Sequence, residues 1–373
     1  MNTGLSQENV TILELEAADG EEIRALARRA FPATQAGFVV PGKLGMVAAD
    51  QGNIVAACLF KVLRLPSGGS VGFIAWLMTH PDFRGRGLAP TLLEASTRRL
   101  RDLNCGTVVT EIEGYNTASA NTFLRAGYGR ISLRQQCKRW PLPDLLRIWL
   151  RSGWLLDPGH FFWISEHEAP PPSPGIGWLA AVGGNTLLAL FAALFGGGLL
   201  RGAALSPPSL PETAACFFAV FTLLLAHAGG LWLVSTASGL RLRYRPWAGG
   251  AGLSFLIALF FGAVMPLPGN FYPAGDGWDQ RKLRQPFARG AGLSVFLILV
   301  AVLLGSWLRG QPAPWLGAAF GHTLLAVGKP LLIFNTLVAV APFEGFHGRH
   351  LRDNNPRTWL LISGIAVWVV FAV

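Results

Sequence analysis

His80-Pro81-Asp82-Phe83-Arg84-Gly85-Arg86-Gly87-Leu88-Ala89 closes one apolar run and opens another. Before it, residues 71–78 have the composition of a buried strand. After it, residues 90–103 repeat apolar positions at helical spacing. A strand, a short Gly/Arg loop and a helix start together make an anion cradle. The first-turn amides of a helix have no intrahelical partner, and the helix dipole adds partial positive charge there. Gly85 and Gly87 let the backbone approach a ligand closely, and Arg84 and Arg86 add fixed charge. The same shape also serves an ordinary strand–loop–helix joint with a solvated basic turn.

Working outward, the chain changes character along its length. It has 373 residues, of which 51% are hydrophobic and only 14% charged. A soluble domain usually carries about a quarter charged residues, so membrane segments are expected. Residues 1–140 read as a soluble α/β domain, and residues from about 177 onward are long apolar runs between short basic loops. The net charge of +10 fits basic loops on the cytoplasmic side of a membrane. No aromatic–basic interleaving of the nucleic-acid-binding kind is present, so no nucleic-acid partner is expected. Cys58, Cys105, Cys137 and Cys216 lie far apart, which fits reduced thiols and a cytosolic soluble domain. Residues 1–9 are polar and lack the apolar core of a signal peptide.

In chain order, Thr11-Ile-Leu-Glu-Leu alternates as a first strand, and a helix follows from Asp19. Residues 46–49 and 54–65 form a hairpin about Asp50-Gln51-Gly52-Asn53. Then come the strand at 71–78, the Gly/Arg loop and its helix, a strand at 107–113, a helix at 116–126, and a last strand over 131–140. Pro143 and Asp144 start a short run with Leu145, Ile148, Trp149 and Trp154 among Arg147 and Arg151. This run is expected to lie on the membrane surface. An extra helix packed on the soluble domain is the other reading. Glu166 to Gly175, with Ala169-Pro-Pro-Pro-Ser-Pro-Gly, is expected to be a stiff linker. The interfacial helix and linker then occupy 141–176, and the membrane domain 177–373.

Across about residues 10–140 the chain resembles the GNAT superfamily of N-acetyltransferases. That family's diphosphate loop has the form [Q/R]-x-x-G-x-[G/A], read here as Arg84-Gly85-Arg86-Gly87-Leu88-Ala89 after Pro81. Its later segment is matched by Asn116, Ser119, Phe123, Gly127 and Tyr128. The resemblance implies a mixed sheet flanked by helices, with acetyl-CoA or another acyl-CoA as cosubstrate. It also implies transfer of the acyl group to an amine, and contacts from Met78, Phe83, Arg84, Gly85, Arg86, Gly87, Leu88, Ala89, Asn116 and Phe123 to the cofactor. Direct attack of an amine on the thioester needs a base, and sometimes an acid for the leaving thiolate. The position that often holds the acid, a tyrosine, is Phe123 here. Either the thiolate leaves unassisted, Tyr115 or water substitutes, or the domain only binds the cofactor. Glu111 and Glu113 share one strand face and are the candidate bases, or else solvated carboxylates. His80 is expected to make local hydrogen bonds.

Spanning segments are expected at 177–200, 214–240, 291–308, 315–340 and 359–373, and 249–264 either re-enters, as the placement of the basic loops favours, or makes a sixth span. This all-α polytopic half bears a second resemblance, to the site-2 protease family of intramembrane metalloproteases. His227-Ala-Gly-Gly-Leu231 stands where that family has H-E-x-x-H, and His347 where it has the Asp of L-D-G. Gly290-Ala-Gly-Leu-Ser294 stands at its Gly-Pro-x-x-Asn helix start. The base position is Ala228 and the second His position Leu231. Two possible ligands remain, His227 and His347, with Glu344 nearby. A catalytic zinc site takes three protein ligands, so no metal is expected and the domain reads as a pseudoprotease, with a rewired metal site on His227 and His347 as the other reading. Lys329, costly in lipid, should face protein or water. The whole is expected in the cytoplasmic (inner) membrane, its GNAT-like domain in the cytosol. Expected partners are acyl-CoA, membrane lipids and an amine-bearing lipid or membrane protein. The other reading is a non-catalytic acyl-CoA sensor.

Overall fold

The computed structural model describes residues 10–165, 176–196, 198–201, 207–274, 280–311, 315–339 and 343–373. The linker expected at 166–175 lies outside them. The chain divides into two compact units. The first draws on Met1–Ile112, Asn116–Trp154 and Phe161–Pro170, the second on Glu113–Tyr115, Leu155–His160 and Pro171–Val373.

The first unit is an α/β fold. Its elements in order are β1 (Val10–Glu14), α1 (Gly20–Ala30), α2 (Ala33–Ala36), β2 (Gly45–Asp50), β3 (Asn53–Arg64), β4 (Ser70–Thr79), α3 (Leu88–Asp102), β5 (Thr107–Glu113), α4 (Thr117–Arg125), β6 (Tyr128–Arg130), α5 (Leu133–Arg139), α6 (Leu142–Ser152) and β7 (His160–Ser165). The strands lie in one sheet in the order β1-β2-β3-β4-β5-β7-β6. The β2–β3 hairpin turns on Gln51 and Gly52, both at positive φ, the geometry a two-residue hairpin loop needs.

Alternation along β3 builds two cores. Ala57 and Leu59 pack with Ile23, Leu26 and Ala27 of α1. Ala56, Cys58 and Phe60 pack with Leu92, Leu93 and Leu100 of α3. Successive residues of a strand face opposite sides, so one strand serves both helices.

Two features separate β4 from its neighbours. Leu59 pairs with Trp76 and Phe60 with Ile74, so Ala75 is an extra residue on β4, a β-bulge. On the other side the parallel ladder to β5 runs only from Val71↔Thr107 to Ile74↔Thr110. Thr110 Oγ1 closes it by donating to Ile74 O at 2.9 Å. Beyond that point β4 keeps its β3 partner and has no ladder on its β5 side.

Two sequence expectations are corrected here. The last strand is not at 131–140: Ser132 and Gln135 form a capping box that starts α5, and strand order is completed by β6 and β7. The run after Pro141 does form a helix, α6, but its Leu145 and Ile148 are buried, and Asp144 accepts a hydrogen bond from Ser67 N. Trp154 packs edge-on to Phe162 of β7. These side chains belong to the core of the first unit and do not face lipid, while Leu142, Leu146 and Leu150 on the other side of α6 stay exposed.

The second unit is helical: α7 (Ile176–Leu194), α8 (Leu210–Ala237), α9 (Ala251–Phe261), α10 (Gln280–Arg309), α11 (Trp315–Thr336), α12 (His347–Asn354) and α13 (Pro356–Ala372). Four helices are long and apolar enough to cross a membrane, within Gly177–Leu194, Leu210–Ala237, Arg281–Arg309 and Gly317–Thr336. The fifth expected span is the shorter α13, of 17 residues. One addition to the all-α expectation is a ribbon of β8 (Leu242–Arg245) and β9 (Asn270–Pro273), paired from Arg245↔Asn270 outward. The intervening chain, with the 11-residue α9, therefore leaves from and returns to one point.

That excursion includes non-helical backbone, which an apolar setting tolerates only where side chains satisfy it. Asn185 donates to Leu267 O and accepts from Leu267 N, and Ser254 donates to Met265 O at 2.7 Å. Helices α8 and α10 meet backbone to backbone: a Cβ on Gly230 would lie 2.3 Å from Ser294 N, and one on Gly290 2.7 Å from Leu231 Cα. Ser294 Oγ accepts from Leu231 N at 3.1 Å. The stretch Gly290–Ser294 thus lies inside α10 as a packing surface, not at a helix start.

The two sides of α6 make a direct test. Ile148→Ala should cost about 2–5 kcal/mol of unfolding free energy, as for other large-to-small core changes. Leu150→Ala, on the exposed side, should stay within about 0.5 kcal/mol. Urea unfolding of the full chain in mild detergent, followed by near-ultraviolet circular dichroism, reads both.

Candidate functional site

In the first unit the site is the joint between β4 and α3. His80 ends the strand and accepts a hydrogen bond from Asp82 N at 3.3 Å, with Pro81 opening a single 3-10 turn. Arg29 Nη1 lies 3.1 Å from His80 Nε2, so the histidine does make local hydrogen bonds. Gly85 and Gly87 both sit at φ 80°, where an L side chain is strained. Nothing lies within 4 Å of a Cβ placed on Gly85, so the loop's surface is open there.

Gly87 is the residue before α3, and no side chain caps this helix. The first-turn amides of α3 therefore have no capping side chain to donate to. The arginines hold the loop's shape. Arg84 donates to Ala30 O at 2.8 Å and to Thr79 O at 3.4 Å, while Arg86 donates to Asp82 O at 3.1 Å and lies over the Phe83 ring at 4.4 Å. Met78 is buried in the α1-side core, so at this position only its backbone faces the unpaired edge of β4.

The later segment is built for structure. Asn116 caps α4, its side chain accepting from Ser119 N at 3.1 Å. Phe123 is 3% exposed and packs edge-on to Tyr128, whose hydroxyl lies 2.7 Å from Thr97 Oγ1. Burial pushes the Cys58 thiol up to about 12, which leaves it unreactive as a nucleophile. Glu111 is half-buried on β5.

Glu113 and Tyr115 count with the second unit. Glu113 is 7% exposed at its side chain, and Arg349 donates to it at 3.1 Å and to Glu344 at 3.1 Å. Burial pushes the Glu113 carboxyl up, against the pull of Arg349. The Tyr115 hydroxyl donates to Phe271 O at 2.9 Å, and its ring packs against Tyr272 and His350. Burial holds it firmly as a phenol. A cavity of about 410 Å³ opens beside it, lined by Tyr115, Arg281, Arg284, Phe287, Arg349 and His350 among others. Sequence reasoning missed Arg349, because its partner Glu113 lies 236 positions away and no local pattern links the two.

His227 and His347 do come together. Their rings stack with centroids 4.3 Å apart and 18° between planes. Each Nε2 faces a carbonyl: His227 on Gly269 O at 3.0 Å, His347 on His227 O at 2.9 Å. Glu344 is engaged by Arg349 instead. Among the described residues no group of three His, Cys, Asp or Glu is placed to hold a metal. Lys329 is half-buried in α11.

The profile of the acetyltransferase (GNAT) family matches residues 11–128. A comparison with curated proteins gave no match. Among solved structures, the ribosomal-protein-S18-alanine N-acetyltransferase from Escherichia coli is 19% identical, with TM-score 0.31, covering 44% of this chain and 98% of that one. The NatC complex bound to Gag peptide and CoA matches at 16% identity and TM-score 0.31, over 43% of this chain and 99% of that one. Arabidopsis thaliana Naa50 in complex with a bisubstrate analogue matches at 13% identity and TM-score 0.31, over 43% and 99%.

The buried histidine of α12 gives a pH prediction. Burial holds His347 down to about 4, below its ordinary 6.5. Between those values the unfolded chain binds a proton that the folded chain refuses, so stability falls as pH drops from about 6.5 to 4. His347→Gln should remove up to about 3 kcal/mol of that loss. The residual slope comes in part from His350, shifted the same way by burial. Unfolding in detergent across pH 4–7.5 measures both slopes.

Proposed function

We propose that this chain is a membrane-anchored N-acyltransferase that moves an acyl group from acetyl-CoA, or another acyl-CoA, to an amine. One observation carries the reading: a positive-φ glycine loop opens an uncapped helix directly after a strand whose outer edge has lost its ladder. The match of residues 11–128 to the acetyltransferase (GNAT) family supports it. In this reading the amides of residues 83–89 hold the diphosphate, and the edge of β4 past Ala75 pairs with the amide-bearing arm of the cofactor. The amine nitrogen attacks the thioester carbonyl, the C–N bond forms, and the C–S bond breaks as the thiolate leaves. The amine's proton passes to a base and the thiolate takes one up. Arg349 holds Glu113 in an ion pair, which supports Glu111 as the base. Tyr115, kept as a phenol, is the candidate acid, with water as the other donor.

The four long apolar helices support anchoring in a membrane, and the free cysteines of the first unit support a cytosolic face at the cytoplasmic membrane. The stacking of His227 on His347, together with Ala228 and Leu231, supports reading the second unit as a non-proteolytic relative of the site-2 proteases, suited to presenting a membrane-borne amine. Phe123 favours a second reading. An apolar ring stands where the family often has an acid, which fits an acyl-CoA sensor that does not turn over.

Free-thiol release from acetyl-CoA separates the two. With the protein in membranes and a panel of amine lipids, polyamines and peptides, at least one acceptor should give turnover. Gly87→Glu, which puts a like charge and a strained backbone in the diphosphate cradle, should weaken acyl-CoA binding by about tenfold or more, equivalent to about 1.4 kcal/mol. Cofactor binding without thiol release from any acceptor would favour the sensor. Unchanged binding by Gly87→Glu would remove the cradle from either reading.

A further inference from the structure

Helix α6 has two apolar sides, and the fold uses one. Asp144, Leu145 and Ile148 are buried in the first unit. Leu142, Leu146 and Leu150 recur every fourth residue and are 63%, 41% and 69% exposed. Residues four apart on a helix are neighbours, so these leucines form one continuous stripe pointing out of the unit. Arg147 and Arg151 are exposed along its flank, and Arg134 and Lys138 are exposed on α5. Residues 131–152 carry five cations and one acid, and that acid, Asp144, is buried on Ser67 N. The surface of α5 and α6 is therefore apolar and cationic, with no exposed acidic side chain.

We propose that this face of α6 docks on the anionic surface of the bilayer that the apolar helices of the same chain enter. Leucines reaching the acyl boundary beside arginines at headgroup level are what such a surface selects. The sequence pointed to Leu145, Ile148, Trp149 and Trp154 as the lipid-facing set. The structure spends Leu145, Ile148 and Trp154 on the core and leaves the opposite stripe for the membrane.

The inference rests on reading α7, α8, α10 and α11 as membrane spans, and that premise is checked first: alkaline carbonate must fail to extract the full chain from vesicles. The docking test uses the full chain in nanodiscs of phosphatidylcholine with phosphatidylglycerol as the minor lipid. Cys137 is the exposed cysteine and is changed to Ser, while Cys58, Cys105 and Cys216 are buried. Leu146→Cys, Leu150→Cys and, as an exposed control in the β2–β3 turn, Asn53→Cys each receive a nitroxide. Power saturation with oxygen and with a nickel chelate should show a preference for oxygen at 146 and 150 several-fold above that at 53. A preference equal to the control overturns the proposal. Shielding from both colliders also overturns it and identifies a protein partner instead. Arg147→Glu with Arg151→Glu should lower the preference at 150 toward the control, and an unchanged value overturns the role given to charge.

Discussion

The parallel ladder between β4 and β5 stops at Ile74 and Thr110, and the arrangement of the first unit follows from that stop. Up to that point β4 is paired on both edges. Past it the bulge at Ala75 bends the strand, and only the β3 edge is occupied. An edge left open in this way presents unsatisfied amides and carbonyls, a template for an extended ligand. The strand then delivers the chain into a turn that ends at Gly87, so the open strand edge and the uncapped helix start are consecutive in the chain. Arg84, tied to Ala30 O and Thr79 O, fixes the loop against the end of α1, while the packing of α3 on β3 fixes the helix.

The second unit answers a different constraint. Where apolar side chains provide little discrimination between packings, close approach of small residues and buried hydrogen bonds set the arrangement. Gly230, Gly290 and Ser294 bring α8 and α10 into backbone contact, and Gly305 and Gly321 do the same for α10 and α11. The backbone between α9 and β9 is served by side chains of α7, α8, α9 and β8: Asn185, His227, Ser254 and Tyr244 all bond to its carbonyls. His227 therefore has a structural task of its own, as donor to Gly269 O.

Local order was legible from the sequence to a large degree. The helix after the glycine loop, the β2–β3 hairpin and β5 all lie within one or two residues of their expected bounds, because each is set by alternation, by turn residues or by glycine. The misplacement at 131–140 shows the limit. Its apolar and polar residues allow a strand, and the deciding signal was the pair Ser132 and Gln135, which close a capping box. At α6 the amphipathic pattern was visible but its orientation was not: leucine stripes on two sides of a helix look alike until one meets a core. The loop residues of the candidate site were legible because glycine and helix start are local. The surroundings of Glu113 and Tyr115 were not, because Arg349, Tyr272 and His350 reach them from more than 150 positions away.

The ion cluster around Arg349 bears on the chemistry as well as on packing. Arg349 contacts Glu113, Glu344 and, at 3.6 Å, Asp353, while the Glu113 side chain is almost wholly withdrawn from solvent. A buried pair of this kind repays its desolvation only when both partners stay, and removing one strands the other at about 3–5 kcal/mol. Protonating Glu113 would cancel the charge that Arg349 is placed to meet. Arg349 engages Oε2 of Glu113, at 3.1 Å. Burial and Arg349 thus pull the Glu113 carboxyl in opposite directions, burial the more strongly.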